Sequence, residues 1–337
     1  MAINGVVFTP KDVLLGLAEE ATFGTAIADN AAFIQYPEFD SVTVDYGLTQ
    51  EMGVRNRSRR MIDDDDVHVS QTGGIRTITI SGLRLRNKDA AELLYAVCQD
   101  VIEGETPFLK TFNIDWTTQP NFAADAGFFC TIGLDTFIDG YHEKFTSCVG
   151  KNIKLSYEGA PGGDGNWKAD IVFISGFAAD TTATFSGTWT VNTQTLIDGH
   201  KAATKSIAGS DVVLYKLDVE IENNAERIGN DSDGNCEGYA IGVGGNGMEI
   251  KANATVKYDA NVQALKAAYL AGTATALIYT VTTYLDIQIG AAIITSFADE
   301  GLEQGAAINI ELTGVYKSGS LITIAVTDGT DKSWPAS

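Results

Sequence analysis

The chain has 337 residues, 45% hydrophobic and 20% charged, with a formal net charge of −21. That length suits two domains with separate cores, and the acidic balance argues against nucleic-acid binding, which needs clustered Lys and Arg to neutralise phosphates. Glycine (35 residues) far outnumbers proline (6), and with abundant Thr, Ile and Val this favours sheets and turns over a helical bundle.

Residues 1–34 read as an irregular N-terminal arm. Within it, Gly16-Leu17-Ala18-Glu19-Glu20-Ala21-Thr22-Phe23-Gly24-Thr25-Ala26 is rich in small residues and predicts an extended stretch hugging the surface. A first domain then spans 35–177. It opens with a strand from Phe39 to Tyr46, where Val42 and Val44 alternate with Ser41, Thr43 and Asp45. A long polar insertion follows, with Arg55, Arg57, Arg59 and Arg60 beside Asp63, Asp64, Asp65 and Asp66. Such charge blocks cannot be core. They read as the tip of a long hairpin, or as a loop ordered when a partner supplies opposite charges.

From Gly74 to Asp100 the pattern is strand, corner, helix. Ile78 and Ile80 alternate with Thr77, Thr79 and Ser81, and the parity slips at Gly82 to Leu83 and Leu85, which predicts a β-bulge. Asn87 is the expected N-cap, and Ala90, Leu93, Leu94 and Val97 sit at helical spacing. Residues 102–126 form an irregular insertion. Strands follow at Phe128–Leu134, Lys151–Tyr157 and Ala169–Ile174, the last two joined by a turn at Pro161 to Gly165.

Residues 178–210 read as an interdomain segment and 211–337 as a second domain. There Leu217, Val219 and Ile221 alternate with Asp218, Glu220 and Glu222. An Asn- and Gly-rich insertion spans 223–247. Then a looser copy of the strand–corner–helix unit returns: Ile250, Ala252, Ala254, Val256 and Tyr258 alternate with polar residues, Asp259 can cap, and Val262, Leu265 and Tyr269 form a helical stripe closed by Gly272. The copies lie about 173 residues apart, a spacing that predicts a duplicated domain. Further strands are expected at Ala276–Tyr284, Ala306–Thr313 and Leu321–Val326. Gly150 to Gly159 also aligns without a gap on Gly305 to Gly314.

Cysteines at 98, 130, 148 and 236 make no CxxC pair and read as buried small hydrophobes, with pairing left open. Neither a signal peptide nor a run of membrane-spanning length is evident, so folding in the cytoplasm is expected. His68, His142 and His200 fall in separate elements, and His142 reads as a surface histidine in a turn. Asp63 to Asp66 would point to alternate sides of an extended chain, and Asp231 to Glu237 departs from a calcium loop. No nucleophile elbow, Walker loop or dinucleotide fingerprint is present. No catalytic, cofactor or metal site is expected.

The Gly, Glu, Thr and Gly-Thr-Ala pattern of Gly16 to Ala26 resembles the opening of tail tube (major tail) proteins of long-tailed bacteriophages. The plan of sheet, helix and long hairpin is also similar. The resemblance implies a mainly β fold of β-sandwich or barrel-like tube domains, each with one flanking helix and a long hairpin loop; many such proteins carry one tube domain, and the repeat within this chain predicts two in tandem. It implies a structural virion protein that assembles into stacked rings around a channel for DNA. The charged loop with Arg55 to Arg60 and Asp63 to Asp66 would reach the neighbouring ring. Asp45, Asp218, Glu220 and Glu222 would face the lumen, where an acidic wall repels DNA over about 8 Å. Partners would be further copies of the chain, the tape measure protein, and tail tip and terminator proteins. DNA would be an unbound passenger, and no membrane is involved. Two units per chain imply trimeric rings with pseudo-sixfold symmetry, against hexamers with the second domain outside. A surface binding module (adhesin or lectin-like) and a capsid or decoration protein are the other readings.

Overall fold

The computed structural model describes residues 13–28, 33–46, 49–52, 67–70, 75–99, 102–103, 109–114, 128–136, 142–160, 163–177, 179–185, 189–228, 240–243, 248–281, 284–299, 307–315 and 322–327. The first half of the chain forms β1 (Val13–Glu19), β2 (Ile34–Gln35), β3 (Ser41–Asp45), β4 (Thr49–Met52), β5 (Val67–Ser70), β6 (Arg76–Arg84), α1 (Asn87–Cys98), β7 (Ile102–Glu103), β8 (Leu109–Ile114), β9 (Cys130–Thr136), β10 (His142–Glu158) and β11 (Lys168–Ser175). The remainder forms β12 (Thr190–Val191), β13 (Ala202–Ile207), β14 (Ser210–Asp211), β15 (Leu214–Glu222), β16 (Ala225–Ile228), β17 (Ala240–Val243), β18 (Glu249–Lys257), α2 (Val262–Ala271), β19 (Thr275–Val281), β20 (Leu285–Asp299), β21 (Ala307–Gly314) and β22 (Ile322–Thr327).

Apart from the ribbons β4–β5 and β16–β17, the strands form one connected, barrel-like system. Its main wall runs β3–β6–β11–β10–β15–β18–β21–β20, antiparallel throughout. The wall crosses from one half of the chain to the other at β10–β15, where Asn152 faces Glu222 and Glu158 faces Lys216. A buried core runs beneath it, with Ile78, Leu94, Leu155 and Phe173 from the first half and Val219, Ile250, Ile287 and Ile310 from the second in one cluster.

Two long strands change partners along their length. The first part of β10 pairs with β9 and the second part with β11 and β15. Likewise β20 pairs first with β19 and β22, then with β21. Neither length is legible in the alternation, because both strands carry bulges and the apolar parity resets at each. The strand expected at Lys151–Tyr157 is therefore the second part of β10, and β20 was not expected at all. The gap-free match of Gly150 to Gly159 with Gly305 to Gly314 is corrected here. It places β10 on β21, but the second part of β10 lies between β11 and β15, whereas β21 lies between β18 and β20, so the match joins strands at different places in the wall.

The bulge expected at Gly82 is present: register against β11 slips between Ala169 and Ile171, and Gly82 has φ +67°. A Cβ there would lie 2.0 Å from Asp40 Oδ2. Gly82→Ala should therefore lose about 1–3 kcal/mol from backbone strain, plus the displacement of Asp40. A lower urea midpoint at unchanged slope would show it.

The two helices differ. Ten of the twelve residues of α1 are buried, under β10 on one side and β8 and β22 on the other. Asn87 does not cap it. Its Nδ2 donates to Thr327 O (2.9 Å), and Gln194 Oε1 accepts from the Lys88 N–H (2.8 Å) instead. By contrast α2 buries only Val262 and Leu265, and Tyr258, Tyr269 and Leu270 are exposed rather than core. Gly272 closes α2 with φ +57°, as expected.

The segment read as a surface-hugging extended stretch divides: residues 21–26 lie at the surface, but the part before them is core. Its Val13–Glu19 part is β1, paired with β9, and Leu15 and Leu17 are buried. Glu20 is 6% exposed. Its carboxylate accepts from Ser147 N–H (2.7 Å), Ser147 Oγ (2.6 Å) and Thr131 Oγ1 (2.6 Å). Those hydroxyls in turn accept from Gly24 N–H (2.7 Å) and Ile27 N–H (3.0 Å). Ser147 has φ +49° and sits in the bulge between Phe145 and Cys148. Cys98, Cys130 and Cys148 are free and buried, as expected of small apolar side chains.

Candidate assembly surface

Side chains alternate across each wall strand. Leu217, Val219 and Ile221 of β15 point into the core, so Asp218, Glu220 and Glu222 share the opposite face. That face continues through Lys154 and Ser156 of β10 and Lys251 and Asn253 of β18, which are their ladder partners. It is polar but not uniformly acidic. Asp218 is only 7% exposed, with Lys216 Nζ at 3.0 Å and Lys154 Nζ at 3.2 Å. Glu220 Oε1 accepts from Asn152 Nδ2 (2.8 Å), and Glu249 lies 3.1 Å from Lys251, whose ammonium pKa that contact raises. Asp45 ends β3 and is exposed, facing Thr77 of β6.

Arg55, Arg57, Arg59, Arg60, Asp63, Asp64, Asp65 and Asp66 lie outside the described residues. The strands flanking them are β4 and β5, paired from Thr49↔Ser70 to Met52↔Val67, so the charge blocks connect the two arms of a ribbon. The second insertion has the same form, with β16 and β17 paired from Ala225↔Val243 to Ile228↔Ala240. Asn223 ties its base to the core, donating to Val97 O and Gly150 O. At the two ends of the wall, β3 has one ladder partner and so has the second part of β20 among the described residues. Such edges are templates for further strands.

Beyond the wall, the N-terminus of α1 is held by buried charge. Asp89 accepts from Asn192 Nδ2 (2.7 Å) with Arg86 at 3.8 Å; Arg86 also meets Glu38 at 2.8 Å, and the Tyr36 hydroxyl donates to Glu92 (2.5 Å). Burial lifts the Asp89 carboxyl from 3.8 to about 6, against the opposing pull of Asn192 and Arg86. A raised carboxylate pKa means that the native state binds the proton more tightly than the unfolded chain. This group's contribution to stability therefore falls as pH rises between about 4 and 6, by about 3 kcal/mol in total. Asp89→Asn should flatten that part of the profile, and urea midpoints of both proteins between pH 4 and 7 would test it.

His142 is hydrogen-bonded to Asp135 at 2.5 Å, and His200 packs edge-on to Tyr157. Among the described residues, no group of three or more His, Cys, Asp or Glu is arranged to hold a metal ion. The stretches 63–66 and 231–237 lie outside them. No described helix is long and apolar enough to cross a membrane.

These features define a β-rich protein whose distinctive surfaces are strand edges, paired hairpins and a polar sheet face. The family described as phage tail tube protein matches residues 10–325, and the chain belongs to that family. No curated protein matches it. It is therefore a structural component of a bacteriophage tail, in the tube of the virion. Sequence reasoning missed the role of Glu20 and the exposed face of α2. The first could have been suspected from an acidic residue beside an apolar run, and the second carries no local signal.

Proposed function

We propose that the chain assembles into stacked rings that form the tail tube, each ring built from three chains around a channel that DNA traverses during ejection. Each chain would supply two tube units, 35–177 and 211–337, with the arm and the 178–210 segment woven into their sheets. The observation that carries this reading is the wall itself. It has eight strands, four from each half, polar on one face and packed on the other. Three such walls make 24 strands. At ~4.8 Å spacing and about 40° tilt they would close at roughly 48 Å between facing backbones, which leaves a wide channel after side chains. The polar face would line it. Asp45, Glu220 and Glu222 would give a hydrated surface of mixed charge, with Lys154, Lys216 and Lys251 each held by a carboxylate.

The two ribbons would project to the neighbouring ring, where the Arg55–Arg60 and Asp63–Asp66 blocks meet opposite charge and set register. Tape measure, tail tip and terminator proteins would meet the tube along its length and at its ends. Synthesis would take place in the host cytoplasm. Electron microscopy of the concentrated purified protein tests this reading. Hollow tubes with threefold end-on symmetry are expected. Sixfold symmetry of whole chains would overturn the stoichiometry, and dispersed particles at every concentration, with and without an initiating tail tip, would overturn the tube.

A further inference from the structure

The chain contains an internal template for the contact between chains. β10 slips register against β9 between Phe145 and Cys148 and against β11 between Gly150 and Asn152. β20 slips against β19 between Ile289 and Ala292 and against β21 between Ile294 and Ser296. Both bulges thus recur at one spacing, which equates Cys148 with Ala292, Asn152 with Ser296 and Lys154 with Ala298. Following the ladders outward equates β11 with β21, β6 with β18 and β3 with β15. Asp45 then stands where Glu220 stands, and Tyr46 where Ile221 stands.

Within the chain, β10 of the first unit pairs with β15 of the second, Lys154 opposite Glu220 and Ile153 opposite Ile221. The wall ends in the counterparts of those two strands, β20 and β3. We propose that β20 of one chain pairs antiparallel with β3 of the next in the same register, Ala298 opposite Asp45 and Phe297 opposite Tyr46. The occupant is a second copy of this chain, and the inference rests on the ring reading above. Because the joint is head-to-tail, it propagates until a ring closes.

The helices support the same operation independently. The α1 face is covered by β8 of its own unit and by β22, the strand that flanks the first part of β20 in the second unit. The corresponding segment flanking β10 lies near Asp180, which bridges to Lys144. In the next chain that segment would cover α2, whose Leu270 is 73% exposed here. Tyr269 stacks on Phe297 at 6.0 Å, so α2 and the β20 edge form one surface.

Cysteine pairs test the register in the full-length protein. Facing residues on antiparallel strands have Cα atoms about 4.5–5.5 Å apart, inside the span of about 4.4–6.8 Å that a disulfide bridges, whereas a two-residue slip moves them out of range. Asp45→Cys with Ala298→Cys should give covalent oligomers that end at the trimer on mild oxidation, at least tenfold above Thr43→Cys with Ala298→Cys. Lys154→Cys with Glu220→Cys calibrates the reaction within one chain. Microscopy of the same samples before oxidation separates the two readings. Tubes without the 45–298 link, or with the 43–298 link instead, overturn the register and leave the tube standing. The link without tubes or rings keeps the joint and overturns the tube. Neither link nor tubes, with the internal control linked, overturns both.

Discussion

Leu270→Arg should abolish assembly while leaving the isolated chain as stable as its parent. Leu270 is 73% exposed, on a helix that buries only Val262 and Leu265. Substitution of such a surface residue usually changes stability by within about 0.5 kcal/mol. In the proposed ring the same side chain is covered at every joint. A buried leucine there contributes about 1.5–3 kcal/mol, and an unpartnered guanidinium in its place costs several more. The loss recurs at each contact between chains, so the population of closed rings should fall below detection. Sedimentation of assembled material, with urea denaturation of the unassembled protein as the control, measures both halves of the expectation. Normal tubes from Leu270→Arg would place α2 on the outer surface and reduce the joint to its strand ladder.

Glu20→Ala should act in the opposite way, on the fold of every chain. Glu20 is the acceptor for Ser147 N–H and for the hydroxyls of Ser147 and Thr131. Because those hydroxyls donate to it, their lone pairs are free to receive Gly24 N–H and Ile27 N–H. One carboxylate therefore holds the chain after β1 against the β9–β10 pair and stabilises Ser147 at positive φ in the bulge where β10 leaves one sheet for the other. Hydrogen bonds to a charged group contribute about 1.5–3 kcal/mol each, and the N–H of the fully buried Ser147 would be left unsatisfied. A net loss of about 3–5 kcal/mol is expected, after allowing for relief of the burial that raises the Glu20 pKa. Glu20→Gln keeps the shape and should lose less, about 1–3 kcal/mol, since one amide oxygen still accepts. Urea denaturation orders the three proteins. Equal stability of Glu20→Ala and wild type would mean that the bulge is held by packing alone.

The sequence by itself determined the mainly β class, the two copies of strand, corner and helix, the bulge at Gly82 and the buried faces of β6, β15 and β18. It also placed the two polar insertions between paired strands. These are local matters. A half-buried strand must alternate, a bulge must break parity, and a run of like charges must stay out of the core. The resemblance carried by Gly16 to Ala26 pointed to the right family, but not to the reason for the motif. Glu20 works through Thr131 and Ser147, more than a hundred residues away in sequence.

Only the tertiary structure decided the rest. β20 was invisible because Ile289 to Ile294 is a run without polar alternation, with one bulge inside it, between Ile289 and Ala292, and another just after it, between Ile294 and Ser296. The Lys88 N–H at the start of α1 is satisfied by Gln194 rather than by Asn87, because Asn87 is itself the first helical residue, with its amide on Thr327 O, and a distant loop brings Gln194 Oε1 to the helix start. The two helix copies share a pattern and differ in burial. α1 is covered by β8 from nearby in sequence and by β22 from the far end of the chain, and periodicity cannot say where the partner for an apolar face will come from. Likewise the acidic alternation of Asp218, Glu220 and Glu222 located one face of a strand. The lysines that neutralise part of it arrive through ladders with β10 and β18, so the charge of that face is a property of the sheet and not of any one segment.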